Sequence, residues 1–297
     1  MEALVKAAIG SLMKEPMHLS TLVDETMYGM KVEITNEVAK GWYRVKTHYR
    51  YEGLMSEEAL LLDEEKIHQW EQHRHGILLH SYADVLTLPK VQGAKLIALP
   101  RGAQVAILDE DQENGWLKVL LVDGQVGFMK AAFLGAYVPS IYVDEFHQFR
   151  LDLDRKQRIT QFLDEKLRLS EGEFRQNVVN TALTYLGVQY RWGGKTSLGI
   201  DCSGLCSAAY MLNGLIIYRD AAIKEGFPVH EISFAEKKPG DLIFFPGHVA
   251  MYLGEDRYVH STNKAGSDGV VINSFHPAHE DYREDLLKRI TACGSVF

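Results

Sequence analysis

Cysteine is scarce in this chain, with three residues in 297, at positions 202, 206 and 293. An odd count at that spacing builds no disulfide framework, which excludes a small cross-linked scaffold. Basic charge is also short: 32 Lys and Arg stand against 40 Asp and Glu, for a net charge of -8. No basic stripe is available to displace counterions from phosphates, so nucleic acid is excluded as a general partner. No apolar run approaches the roughly 20 residues that span a bilayer, and no membrane partner is expected. The start, Met1-Glu2-Ala3-Leu4-Val5-Lys6, lacks the basic-then-apolar pattern of an export signal. With Met1 as the native start, this predicts a cytoplasmic protein.

What is present is ordinary for a globular chain, 46% apolar and 24% charged, with length enough for two or three cores. Up to about residue 140 the pattern is one of short strands separated by turn residues, expected at 5–9, 30–34, 41–47, 54–55, 85–88, 94–98, 104–108, 115–121 and 125–129. Two stretches look alike. Gly41-Trp42-Tyr43-Arg44-Val45 precedes Tyr51-Glu52-Gly53-Leu54-Met55, and Gly115-Trp116-Leu117-Lys118-Val119 precedes Gly124-Gln125-Val126-Gly127-Phe128. Each is a Gly-Trp strand, a turn and a strand carrying glycine, which predicts a small β-barrel repeated twice. Between the copies, residues 56–76 are polar and hold His68, His73 and His75. With no cysteine or well-placed carboxylate to complete a metal site, the stretch reads as a solvated linker.

Residues 141–169 are charged and helix-compatible, a connecting segment packed on the next domain. Ser170 and Glu173 are spaced as a capping box opening a helix that stops at Gly187. A glycine-rich loop, Tyr190-Arg191-Trp192-Gly193-Gly194, leads to Asp201-Cys202-Ser203-Gly204-Leu205, where apolar residues take up helical spacing. Cys202 is therefore placed at a helix start, where partial positive charge favours a thiolate and free N–H groups can meet an oxyanion. Cys206 and Cys293 read as core. Downstream, Pro239-Gly240-Asp241-Leu242-Ile243-Phe244-Phe245, Gly247-His248-Val249-Ala250-Met251-Tyr252-Leu253 and Tyr258-Val259-His260-Ser261 form a run of strands. A hairpin with that spacing places His248 and His260 on one face, giving the thiol a base and the base an orienting partner.

At these motifs the sequence resembles the NlpC-type cysteine peptidases, a papain-like clan of bacterial cell-wall peptide hydrolases. The Gly-Trp repeats resemble bacterial SH3-like domains. The whole chain is similar to the γ-D-glutamyl-L-diamino acid endopeptidases that recycle cell-wall peptides. The resemblance implies an α+β papain-like catalytic domain, with N-terminal helices packed on an antiparallel sheet, preceded by two small all-β SH3-like barrels. The implied limits are 1–75 and 76–140 for the barrels, 141–169 for the connection and 170–297 for the peptidase. It implies Cys202 as nucleophile, His248 as general base and acid, His260 as orienting residue and Tyr190 as a hydroxyl near the oxyanion. It further implies Asp201, Ser203, Glu25 and Tyr51 as binders of a free L-Ala amine in peptides such as L-Ala-γ-D-Glu-L-Lys or the meso-diaminopimelate equivalent. No cofactor or metal is implied. The competing expectations are a non-catalytic module that binds peptidoglycan peptides and a secreted lytic enzyme acting on intact wall.

Overall fold

Short runs of alternating character in the first sixty residues become seven strands: β1 (Glu2–Val5), β2 (Ile9–Met13), β3 (Leu22–Met27), β4 (Lys31–Ala39), β5 (Trp42–Thr47), β6 (Glu52–Ser56) and β7 (Leu60–Leu61). Helix α1 (Glu64–Glu71) leads to seven more, β8 (Arg74–Leu78), β9 (Tyr82–Leu86), β10 (Lys95–Pro100), β11 (Gln104–Asp109), β12 (Trp116–Leu120), β13 (Val126–Lys130) and β14 (Leu134–Ala136). The structure is a computed structural model describing residues 1–109, 114–137 and 155–297. The strand orders are β3-β2-β6-β5-β4-β1-β7 and β10-β9-β13-β12-β11-β8-β14. Advancing every strand by seven turns one order into the other, so the repeat seen as two Gly-Trp stretches is a duplicated topology.

Two glycines explain part of the repeated pattern. A Cβ on Gly53 of β6 would lie 2.7 Å from Leu12 of β2, and one on Gly127 of β13 would lie 2.5 Å from Val85 of β9. In both copies a strand passes too close for any side chain, and glycine is required. The copies are joined: the Val122 N–H donates to the buried Tyr28 hydroxyl at 2.6 Å, and the Gln104 N–H donates to the Tyr28 carbonyl at 2.8 Å. Residues Met1–Tyr137 form one compact unit.

Two sequence expectations need correction here, and one strand was not expected. The strand expected at 5–9 is a break between β1 and β2, because the N–H groups of Lys6 and Ala7 both turn to the Ala59 carbonyl. Strand β3 carries Asp24, Glu25 and Thr26, all buried, so its polarity hid it from a reading based on apolar alternation. Residues 56–76 are not a solvated linker. Asp63 caps α1 through Glu65 and Lys66, Ile67 and Trp70 are buried, the Trp70 indole donates to the Leu120 carbonyl, and His75 stacks on Trp70. His68 bonds Gln72 on the exposed side.

The second unit, Val138–Phe297, begins its described part with α2 (Arg155–Phe162), whose last turn continues as a π-helical segment to Leu167. Residues 141–154 of the expected connection lie outside the described residues. Ile159, Phe162 and Leu163 join the main core of this unit. The predicted capping box is formed, with the Glu173 N–H on Ser170 Oγ and Glu173 Oε2 on the Ser170 N–H, opening α3 (Glu171–Leu183). After β15 (Lys195–Thr196) and β16 (Gly199–Ile200) comes α4 (Cys202–Leu212). Strands β17 (His230–Ile232), β18 (Leu242–Phe245), β19 (His248–Gly254), β20 (Arg257–Thr262), β21 (Gly269–Ser274) and β22 (Ala292–Ser295), with a single helical turn α5 (Glu284–Leu287) before the last, make an antiparallel sheet ordered β17-β22-β18-β19-β20-β21.

Alternation along these strands divides the sheet's two faces. Leu242, Phe244, Val249 and Met251 pack with α2, α3 and α4, whereas Ile243, Phe245, Ala250 and Tyr252 pack with Phe275, Leu286 and Cys293. Cys206 and Cys293 are core residues, as expected, and lie on opposite faces of the sheet. The Pro239-Gly240-Asp241 turn fastens the helices to the sheet: Arg175 of α3 donates to Asp241 Oδ1 at 2.8 Å, and the Tyr210 hydroxyl of α4 donates to the Gly240 carbonyl at 2.7 Å. Among the described residues, no helix is long and apolar enough to cross a membrane.

Candidate active site

Cys202 is the first residue of α4, and the helix begins there because Asp201 caps it. Asp201 Oδ1 accepts the Gly204 N–H at 2.6 Å while Oδ2 accepts the Gly193 N–H at 2.8 Å, so one carboxylate fixes both the helix start and the glycine loop. The loop lies so close that a Cβ on Gly204 would come 2.2 Å from the Gly194 carbonyl oxygen. Burial, with Asp201 next to it, pushes the Cys202 thiol up to about 11, against the opposing pull of the Val249 and Ser203 N–H groups. The thiolate expected from the helix start is thus outweighed by desolvation.

The thiol meets the sheet where two strands part. The β19–β20 ladder ends at the Met251–Val259 pair, and the Val249 N–H just beyond it acts on the Cys202 sulfur in favour of the thiolate. His248 is the adjacent residue. Its Nε2 lies 2.7 Å from His260 Nδ1, and His260 Nε2 lies 2.9 Å from Asn273 Oδ1. The two imidazoles pack among Phe245 and Tyr258. Burial, helped by His260 and by the Arg283 and Arg289 charges, pulls His248 down to about 3. Burial pulls His260 down to about 4, although its bond to Asn273 acts the other way. At neutral pH the site holds an uncharged thiol and two uncharged imidazoles.

Tyr190, bridged to Ile200, is half-buried, and burial together with Cys202 and Asp201 pushes its phenol up to about 12, so it stays a proton donor. Ser261, next to His260, donates to the Ile200 carbonyl at 2.6 Å and so ties the histidine strand to the approach to Cys202.

The structure therefore gathers Cys202, Tyr190, Asp201 and Ser203 at one end of α4 and pairs His248 with His260. It also adds residues that the sequence reading passed over. Arg219, 2% exposed, lays Nη1 and Nη2 on the two Asp201 oxygens at 3.0 Å each, and Nη1 also reaches Ser203 Oγ at 2.8 Å. The Asp201 carboxylate, expected to receive a substrate ammonium, is already occupied by this guanidinium and two backbone N–H groups. No local motif marks Arg219. Nor does any mark Asn273, which lies in β21. Glu25 lies in β3 of the first unit, 3% exposed, and Tyr51 lies just before β6 and donates its N–H to Thr47 Oγ1 at 3.0 Å. Among the described residues, no group of three or more His, Cys, Asp or Glu side chains converges as a metal site.

Comparison with known proteins places the chain in a family. The sequence profile described as the NlpC/P60 family matches residues 187–286, which hold Tyr190, Cys202, His248, His260 and Asn273. The chain is 42% identical over 299 residues to a protein of Lysinibacillus sphaericus named dipeptidyl-peptidase 6, covering all of both chains. It is 33% identical over 98 residues to the γ-D-glutamyl-L-lysine dipeptidyl-peptidase of Bacillus subtilis, a match covering 29% of this chain and 31% of that one. A crystal structure of an NlpC/P60 family protein from Bacillus cereus superposes with a TM-score of 0.74 at 18% identity, over 99% of this chain and 98% of the other. That likeness extends the shared fold to both units. With a full-length relative at this identity and a cysteine and two histidines in the matched region, the chain belongs to the NlpC/P60 family of cysteine peptidases.

Proposed function

We propose that this peptidase hydrolyses the bond between γ-D-Glu and an L-diamino acid, L-Lys or meso-diaminopimelate, in cell-wall peptides whose N-terminal L-Ala is free, and that it serves the recycling of such peptides. In this reading the duplicated sheets are two SH3-like barrels and residues 170–297 are the papain-like peptidase domain. The observation that carries it is a cysteine at a capped helix start, Cys202, together with an imidazole, His248, bonded to a second imidazole, His260, at 2.7 Å. The names of the Lysinibacillus and Bacillus relatives support the substrate class.

The reaction starts from neutral partners. As the sulfur attacks the γ-D-Glu carbonyl, the thiol proton passes to His248, and His260 holds the resulting imidazolium in place. The oxyanion is met by the Cys202 N–H at the start of α4 and by the Tyr190 hydroxyl. The C–N bond breaks as His248 returns its proton to the leaving amine, and water activated by His248 then cleaves the thioester. Asp201, locked to Arg219, keeps the loop and helix start aligned.

Mass spectrometry of L-Ala-γ-D-Glu-L-Lys and its N-acetyl form tests the reading. The free peptide should yield L-Ala-γ-D-Glu and lysine, the acetylated form should resist, and Cys202→Ala should slow cleavage by at least about 10³-fold. Binding without turnover by the wild type rejects the enzymatic reading, and equal cleavage of the two peptides rejects recognition of the amine.

A further inference from the structure

The hydrogen bonds behind His248 end on a side chain whose orientation is dictated by the backbone. Asn273 sits in β21, directly across from Tyr258 and two places along from Val271, the residue paired with His260. Its Nδ2 donates to the Asp281 carbonyl at 3.0 Å, and its Oδ1 faces His260 Nε2 at 2.9 Å. A carbonyl oxygen only accepts, so the end of the amide that meets Asp281 must be the NH2 group and the end that meets His260 must be the oxygen. The acceptor is itself fixed, because the Asp281 carbonyl also receives the Ser274 N–H at 3.0 Å and Asp281 Oδ2 is held by Arg257 at 2.7 Å.

The consequences run along the line atom by atom. Asn273 Oδ1 can only accept, so His260 Nε2 carries a proton. A neutral imidazole has one N–H, and His260 Nδ1 is therefore a lone pair. That lone pair lies 2.7 Å from His248 Nε2, which must supply the hydrogen. His248 Nδ1 is left bare, and it is the ring atom able to take a proton from the thiol.

We propose that Asn273 is a positioning residue that sets the tautomers of both histidines and so keeps the base of this enzyme in its proton-accepting form. The inference rests on the reading of His248 as general base. Without an acceptor at 273, His260 is free to place its proton on Nδ1. His248 then turns an unprotonated Nε2 towards it and carries its own hydrogen on Nδ1, where it cannot take another. The charges facing this line are Arg283 and Arg289 towards His248, and Arg283 and Asp285 towards His260. None is altered by a change at 273.

The test compares wild type, Asn273→Leu and Asn273→Asp in the full chain. Long-range ¹H–¹⁵N spectra of histidine-labelled, ligand-free protein, assigned with His248→Gln and His260→Gln, report which nitrogens are protonated. Kinetics on L-Ala-γ-D-Glu-L-Lys across pH report the cost. Wild type should show Nε2–H on both rings. The leucine variant should show Nδ1–H on His260, with kcat lower by on the order of 10²-fold and KM within about threefold. The aspartate variant keeps an acceptor, so it should retain Nε2–H and more activity than the leucine variant. Its carboxylate should move the acid limb of the kcat profile to higher pH. Unchanged tautomers in the leucine variant, or equal losses in both variants with tautomers intact, overturn the proposal. Should the leucine variant fail to fold, an unmoved acid limb in the aspartate variant overturns it. Wild type with both rings as Nε2–H that cleaves no such peptide rejects the proposed substrate and leaves the tautomer assignment standing.

Discussion

Two buried polar clusters bracket Cys202, and they hold charge in opposite ways. The Asp201–Arg219 cluster is ionic, a carboxylate and a guanidinium locked at two oxygens with backbone donors filling the rest. The His248–His260–Asn273 line is neutral, and each member is defined by where its proton sits. The first arrangement suits a scaffold, because moving either charge strands the other. The second suits chemistry, because a neutral base has room for one more proton.

The contrast breaks most visibly if the ionic cluster is opened. Arg219→Met should leave a buried carboxylate without its counter-charge, a loss of about 3–5 kcal/mol in unfolding free energy. Calorimetry would show a large fall in Tm, partly recovered by adding Asp201→Asn. A Met variant as stable as wild type would mean the pair is not the scaffold described.

The neutral line should show itself in the acid response. His260 titrates near 4 in the folded chain, below the unfolded value of about 6.5, so the unfolded chain binds more protons in between. Stability is then complete above about pH 6.5 and is lost as pH falls towards 4, by on the order of 2–3 kcal/mol for this residue. Urea titrations at several pH values should trace that loss, and His260→Gln should flatten it. Equal slopes for the two proteins would place the acid sensitivity elsewhere.

The smallest effect should come from the tether between the clusters. Ser261→Ala removes the hydrogen bond to the Ile200 carbonyl, a change of about 1 kcal/mol in stability. Turnover should fall more than stability implies, because the tether sets how Cys202 faces the histidine strand. Unchanged kcat would show that core packing alone keeps that register.

The peptidase unit was the more legible half because its chemistry lies in compact motifs. Cys202 and the histidine hairpin are read from local spacing, and the capping box at Ser170 is a four-residue pattern. Arg219 and Asn273 were hidden because neither belongs to one of those motifs, and each acts only through a partner, Asp201 or His260, that it meets once the chain has folded. In the first unit the Gly-Trp stretches revealed a repeat but not its strand order. Strand β3 was missed because its buried acids look like a loop, and α1 because only Ile67 and Trp70 among its residues are buried. Burial of polar groups is decided by partners, and a sequence lists residues without naming those partners.

The bond from the Val122 N–H to Tyr28 has a practical meaning for anyone cutting this chain into pieces. The two copies look like separable beads, yet the donor belongs to one and the acceptor to the other, both out of water. A fragment carrying a single copy would open that seam to solvent. The smallest portable module of this half is the pair, and an inventory of parts that counts two has counted halves.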